Sequence, residues 1–217
     1  MFTLLTLVQN DVFYDEKAFL CTSAKTLAVF ALVCYTQCMR YSYAKLYEKN
    51  YTFYADKPRL TSVIKLADKL LTAAFFVVYA VALLWTANAV AQKTMPYDTF
   101  MRLVGAPLFC LLIVSVLRLA IRRPRPYSEE GANITPLVIK KASADKSFPS
   151  RHLASAFVIV ISLLPYYPIV SICLLPFAFA LGYIRFALGL HYPSDLFVGA
   201  FLGALCGLVV FILEKKV

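Results

Sequence analysis

Residues 101–121, MRLVGAPLFCLLIVSVLRLAI, form an apolar run whose only charges are Arg102 at one end and Arg118 near the other. A helix that crosses a bilayer needs about 20 such residues, so this stretch reads as a membrane span that carries a cation close to its exit. Leu70–Ala91 upstream and Ser194–Leu213 downstream meet the same standard, the latter with Asp195 in its first turn. Ala24–Met39, His152–Leu164 and Ile169–Ile184 are shorter and would pass as buried helices in a soluble protein. In series with the long spans they read as helices of one membrane domain. The expectation is an all-α, polytopic six-transmembrane-helix bundle over residues 24–217.

Composition agrees. Of 217 residues, 61% are hydrophobic and 16% charged, which leaves no soluble domain. Residues 1–23 lack the basic start of a signal peptide and are interrupted by Asp11, Asp15 and Glu16. They read as an amphipathic interfacial helix or a frayed terminus. Cys34, Cys38, Cys110, Cys173 and Cys206 fall inside apolar spans and Cys21 just before one, with neither zinc-ligand nor disulfide-framework spacing. They read as small core residues, and no metal or other cofactor is expected. The net charge of +10 fits anionic lipid headgroups or an anionic substrate. Nucleic acid is not expected as a partner, because the arginines gather at helix ends rather than along a solvated face.

Polar connections alternate in length. Arg40–Lys69 and Arg122–Arg151 are long loops and Arg185–Pro193 is a medium one, whereas Gln92–Phe100 and Pro165–Pro168 are short. Six helices place the long and medium connections on one membrane face. Three polar motifs lie at those ends and use both histidines of the chain.

The first motif is Arg118-x6-Arg125-Pro126. A charge at the position of Arg118 faces a polar cavity or snorkels to the interface. Pro124 and Pro126 stop the helix and hold Arg125 in an extended segment, and Arg122 and Arg123 complement the helix dipole. The second motif is Pro149-Ser150-Arg151-His152, a helix start with Ser150 as cap, where free backbone N–H groups can receive an anion. The third runs from Arg185 through His191 to Asp195. Pro193 suits the first turn of the last helix, so the Asp195 carboxylate can reach back to His191 and leave its other ring nitrogen nucleophilic, or simply cap the helix. Clustered arginines, two imidazoles and a carboxylate are what metal-free cleavage of a phosphate ester requires. At span ends, they suit a phosphorylated lipid.

As an ordered set, the motifs resemble those of the type 2 phosphatidic acid phosphatase family, which shares its site with vanadium haloperoxidases. The resemblance covers roughly Arg118 to Asp195 and matches that family's six-helix membrane core. It implies that His191 attacks phosphorus to give a phosphohistidine, with Asp195 holding its other nitrogen. It implies that Arg118, Arg125, Arg185 and Ser150 bind the phosphate oxygens, and that His152 protonates the departing oxygen and then activates water. The arginines would supply the positive charge that a metal brings elsewhere.

Two positions depart from the family pattern: Arg151 stands where it has Gly, and Ile184 where it has Ser. Ile184 removes a hydroxyl that could support the site. Arg151 is a candidate contact for the second phosphate of a diphosphate, or else points to headgroups or water. The implied substrate is a phosphorylated lipid such as undecaprenyl diphosphate, phosphatidylglycerophosphate or phosphatidic acid, with membrane lipids as the other partners. Compact size suggests a bacterial cell (inner) membrane. The competing reading is a non-catalytic anionic-lipid binder or transporter, weakened because both histidines and Asp195 are present. Outside the motifs, the active-site face carries twelve Lys/Arg against six on the other, which by the positive-inside rule puts the site in the cytoplasm. Basic residues beside a phosphate site also serve substrate attraction, so the face stays open.

Overall fold

The computed structural model describes residues 43–128, 134, 135, 137 and 146–214. The expectations for residues 1–23 and for a helix at Ala24–Met39 lie outside them. Among the described residues all regular structure is helical. The elements are a helix at residues 43–55 (α1), Pro58–Ala91 (α2), Tyr97–Ala120 (α3), Arg151–Leu163 (α4), Pro168–Ala187 (α5) and Pro193–Glu214 (α6).

One expectation needs correction. The polar stretch read as the loop Arg40–Lys69 is helical over residues 43–55, and α2 begins at Pro58 rather than near Leu70. Polarity was a poor guide here: Lys, Arg, Leu and Ala are all good helix formers, and proline is at home in the first turn. At 34 residues α2 is about 50 Å long, well beyond a hydrocarbon core of about 30 Å. Its first turns therefore have room to stand at the membrane face.

Three helices, α2, α3 and α5, are long and apolar enough to cross a membrane. The shorter apolar helices are α4, of 13 residues, and the stretch Pro193–Val209 of α6. By its rise α4 spans only about 20 Å. It is instead the central post: Leu153, Ala156, Phe157 and Val160 pack in a core with Phe75 of α2, Leu103 of α3, Leu181 of α5 and Leu196 of α6. Outward, large apolar side chains lie bare, with Leu84 72% exposed, Ile169 78% and Phe197 73%. A surface that apolar is matched to lipid rather than water. Cys110 and Cys206 join a second buried cluster, whereas Cys173 faces outward.

Closeness of α4 and α6 decides where the motifs sit. Gly199, Gly203 and Gly207 recur every fourth residue along one face of α6, the spacing that lets two helix backbones approach. A Cβ at Gly203 would stand 2.3 Å from the Ala154 carbonyl oxygen, and one at Gly199 would stand 2.6 Å from that of Ser150. Only hydrogen fits at either position. The packing sets the start of α4, with Ser150 and His152, beside the start of α6, with Asp195.

Candidate active site

The three motifs meet through direct hydrogen bonds. Arg118, in the last turn of α3, is 5% exposed and donates Nη1 to the Pro149 carbonyl at 2.8 Å and Nη2 to that of Lys146. It is buried under the 146–150 segment, so it does not snorkel. Arg125 is buried too and donates to the Leu190 carbonyl at 3.2 Å, joining the first motif to the third. The Ser150 N–H donates to the Asp195 carbonyl at 3.0 Å, joining the second to the third.

Ser150 stands at the head of α4, but its hydroxyl does not cap the helix. The side chain is fully buried and its Oγ has no hydrogen-bond partner. A buried hydroxyl without a partner loses about 1–3 kcal/mol of solvation, so it gains from meeting a ligand oxygen. Arg185 shows the same pattern. It is 2% exposed in the last turn of α5, and its Nε has no partner. Its Nη1 lies 3.0 Å from His152 Nδ1, and its Nη2 reaches Asp68 of α2.

The partners of the imidazoles dictate where their protons lie. A guanidinium only donates, so His152 Nδ1 accepts from Arg185 and the ring proton sits on Nε2. A carbonyl only accepts, and His191 Nδ1 lies 2.9 Å from the Ser147 carbonyl oxygen. His191 therefore carries its proton on Nδ1 and a lone pair on Nε2. His191 lies in the connection between α5 and α6. Burial lowers its pKa to about 4; Asp195 opposes the shift and the positive charge of Arg125 reinforces it. The ring is thus neutral at ordinary pH, with Nε2 available as a nucleophile.

Asp195 differs in detail from what the spacing suggested. Its Oδ2 is 3.8 Å from His191 Nδ1, too far for a hydrogen bond, and the Ser147 carbonyl has taken that place. The fully buried carboxylate instead accepts from Arg123 Nη1 at 2.6 Å, from the Ser147 hydroxyl and from the Tyr192 N–H at 3.1 Å. It ties down the loop that holds His191. Arg123 also stacks on the Tyr192 ring, 4.2 Å from its centroid. Tyr192 packs with Tyr43 and Tyr47 of α1. Tyr47 in turn closes on Gly189, where φ is +72° and an added Cβ would stand 2.8 Å from the Tyr47 hydroxyl, so a side chain there is strained.

Arg151 is exposed on the first turn of α4. With His152 it lines a cavity of about 220 Å³ whose other walls include Phe75, Phe76, Leu111 and Ile159. Ile184 is partly exposed, and its hydrocarbon side chain supplies no hydroxyl in place of the missing one.

Four participants escaped the sequence reading. Asp68 and Thr72 fell at or beyond the edge of a supposed loop, Arg123 read as a dipole complement, and nothing marked Ser147. Only for Asp68 was there a signal, a lone acid between Lys65 and Lys69 just before a long apolar run. Among the described residues no group of three or more His, Cys, Asp or Glu is placed to hold a metal ion.

The chain is 34% identical over 106 residues to a lipid A 4'-phosphatase of Bacteroides thetaiotaomicron, a match covering 47% of each protein. It thus spans about half the length of that curated relative. The crystal structure of a transmembrane PAP2 type phosphatidylglycerolphosphate phosphatase from Bacillus subtilis superposes with a TM-score of 0.65 at 22% identity, over 91% of this chain and 96% of that one. Aquifex aeolicus LpxE gives a TM-score of 0.46 at 24% identity, over 69% of this chain and 93% of that one. The profile of the PAP2 superfamily matches residues 99–217, more than half of the chain, which takes in every motif residue from Arg118 to Asp195. This integral membrane protein belongs to the PAP2 superfamily.

Proposed function

We propose that the protein is a lipid phosphatase that cleaves a phosphate mono- or diphosphate ester through a phosphohistidine on His191, without a metal. The observation that carries this reading is the His191 Nδ1–H bond to the Ser147 carbonyl, which leaves Nε2 with its lone pair inside a cluster of buried arginines. His191 Nε2 attacks phosphorus, the N–P bond forms and the P–O bond to the lipid breaks. Arg185 Nε and Ser150 Oγ, both buried without partners, are the donors for the equatorial oxygens, with Arg118 and Arg125 adding positive charge.

His152 serves the leaving group. Its Nδ1 is covered by Arg185 before substrate arrives. A phosphate that draws Arg185 onto its own oxygens uncovers Nδ1, the ring takes up a second proton, and the imidazolium gives the Nε2 proton to the departing oxygen. Once neutral, it accepts a proton from the water that attacks the phosphohistidine. The apolar cavity beside His152 suits the first carbons of the departing lipid.

Undecaprenyl diphosphate, phosphatidylglycerophosphate and phosphatidic acid are the substrates to compare, with lipid A added because a relative is named for it. Detergent-purified protein is expected to release phosphate from at least one of them in the presence of EDTA, and the order of rates ranks the substrates. Release abolished by EDTA and restored by a divalent ion would end the metal-free mechanism. No release from any lipid by folded protein would favour an anionic-lipid binder.

Exposure of Arg151 on the rim of the His152 cavity keeps it available to a second phosphate. Arg151→Gly is expected to lower turnover of a diphosphate substrate about tenfold or more relative to a monophosphate, the scale of one charge-assisted hydrogen bond. An unchanged ratio would return Arg151 to the headgroup region.

A further inference from the structure

We propose that Asp68 is a positioning residue, the counter-ion that orients Arg185 and keeps the site from holding its product phosphate too tightly. This rests on the phosphatase reading above. Asp68 lies on α2, remote in sequence from every motif, and is only 7% exposed. A buried carboxylate on a membrane helix is costly unless it is paired. Its partner is Arg185: Nη2 stands 3.0 Å from Oδ1 and 3.2 Å from Oδ2. Thr72, one turn further along α2, accepts from the same Nη2 at 3.4 Å while its own hydroxyl donates to the Asp68 carbonyl at 2.7 Å.

Arg185 is therefore held from two sides. Asp68 and Thr72 take Nη2, and His152 takes Nη1. Before substrate arrives these contacts set the plane of the guanidinium, and its buried Nε, which has no partner, is presented to an anion. The Asp68 charge has a second consequence. Arg118, Arg125 and Arg185 are each 6% exposed or less, and a phosphate dianion among three poorly solvated cations would leave slowly. Asp195 faces Arg123, so Asp68 is the carboxylate seen to offset the charge of Arg185. As phosphate departs, the Arg185 charge is taken back by Asp68, which lowers the cost of release.

Asp68→Asn preserves shape and one acceptor while removing the charge, which separates the two roles. Orthophosphate binding to detergent-purified protein is read by titration calorimetry, beside steady-state turnover of the best lipid substrate. Asp68→Asn is expected to bind orthophosphate about tenfold more tightly than the wild type, with kcat and KM both lowered. In an Arg185→Gln background the same change is expected to alter phosphate affinity less than about twofold. A merely structural role would loosen phosphate binding, so equal or weaker affinity in folded Asp68→Asn overturns the proposal.

If Asp68→Asn is recovered only in phosphate, the rise of its thermal midpoint with phosphate concentration gives the same affinity. Asp68→Ser is the second variant. Failure of both to fold under any phosphate concentration assigns Asp68 to structure alone and overturns the release role. Wild-type protein that neither hydrolyses lipid phosphate nor binds orthophosphate would remove the phosphatase reading itself. Wild-type binding that Asp68→Asn does not tighten removes only this inference.

Discussion

His191→Ala is expected to lower kcat by at least about four orders of magnitude, because the nucleophile that splits the reaction into two steps is gone. Binding need not suffer in proportion. Arg118, Arg125, Arg185 and Ser150 keep their anchors in the variant, so KM for the lipid is expected to change only a few-fold. Wild-type protein quenched in alkaline detergent after incubation with labelled substrate is expected to carry a base-stable phosphoryl group that acid removes, and His191→Ala none. A variant within about tenfold of the wild-type rate would discard the phosphohistidine. Asp195→Asn supplies the contrast. Where a carboxylate bonds directly to the imidazole, its loss costs about 10⁴-fold through the wrong tautomer. Here the Ser147 carbonyl holds His191 Nδ1 at 2.9 Å while the Asp195 carboxylate stands 3.8 Å away. The Asn variant is therefore expected to lose only on the order of 10- to 100-fold, through a looser Ser147 and Arg123.

Gly203→Ala is the second large effect, and it acts on the fold and the site together. The added methyl would meet the Ala154 carbonyl oxygen at 2.3 Å and the Ala154 Cα at 3.0 Å, backbone atoms that cannot swing aside. The helices must part, at a cost of about 1–3 kcal/mol or more for overpacking. Parting also shifts Ser150 and His152 on α4 away from His191 and Asp195 near the start of α6. The expected result is a lower thermal midpoint and a disproportionate fall in activity in the protein that still folds. Gly105→Ala is the control. A Cβ there has nothing within 4 Å, and alanine is the better helix former by about 1 kcal/mol, so stability and turnover are expected to hold or improve. Equal effects at the two glycines would mean that the α4–α6 contact does not set the site.

Sequence and structure divide the information according to range. Apolar runs of span length and the prolines that stop them are local properties, so α2, α3 and α5 were legible from residues 70–91, 101–121 and 169–184. So was the cluster of Arg118, Arg125, His152, Arg185, His191 and Asp195, because buried arginine and histidine at the ends of apolar helices have few uses besides binding or chemistry. Two local signals misled. The basic run before Leu70 read as loop although its residues favour helix, and Ser150 read as a cap although its buried hydroxyl makes no cap hydrogen bond.

What the sequence by itself determined is therefore the class of the protein, three helices of membrane-crossing length and a set of polar residues that come near one another. Only the tertiary structure decided which of them touch. That Arg185 pairs with Asp68, that Ser147 rather than Asp195 takes the His191 proton, and that Arg123 serves Asp195 are contacts between residues 44 to 117 positions apart, or contests between neighbours for one hydrogen bond. Spacing along a chain states who is within reach. The winner is set by where the backbones are held, as on α6, where glycines let α4 approach until the Ser150 and Ala154 carbonyl oxygens leave no space for a Cβ.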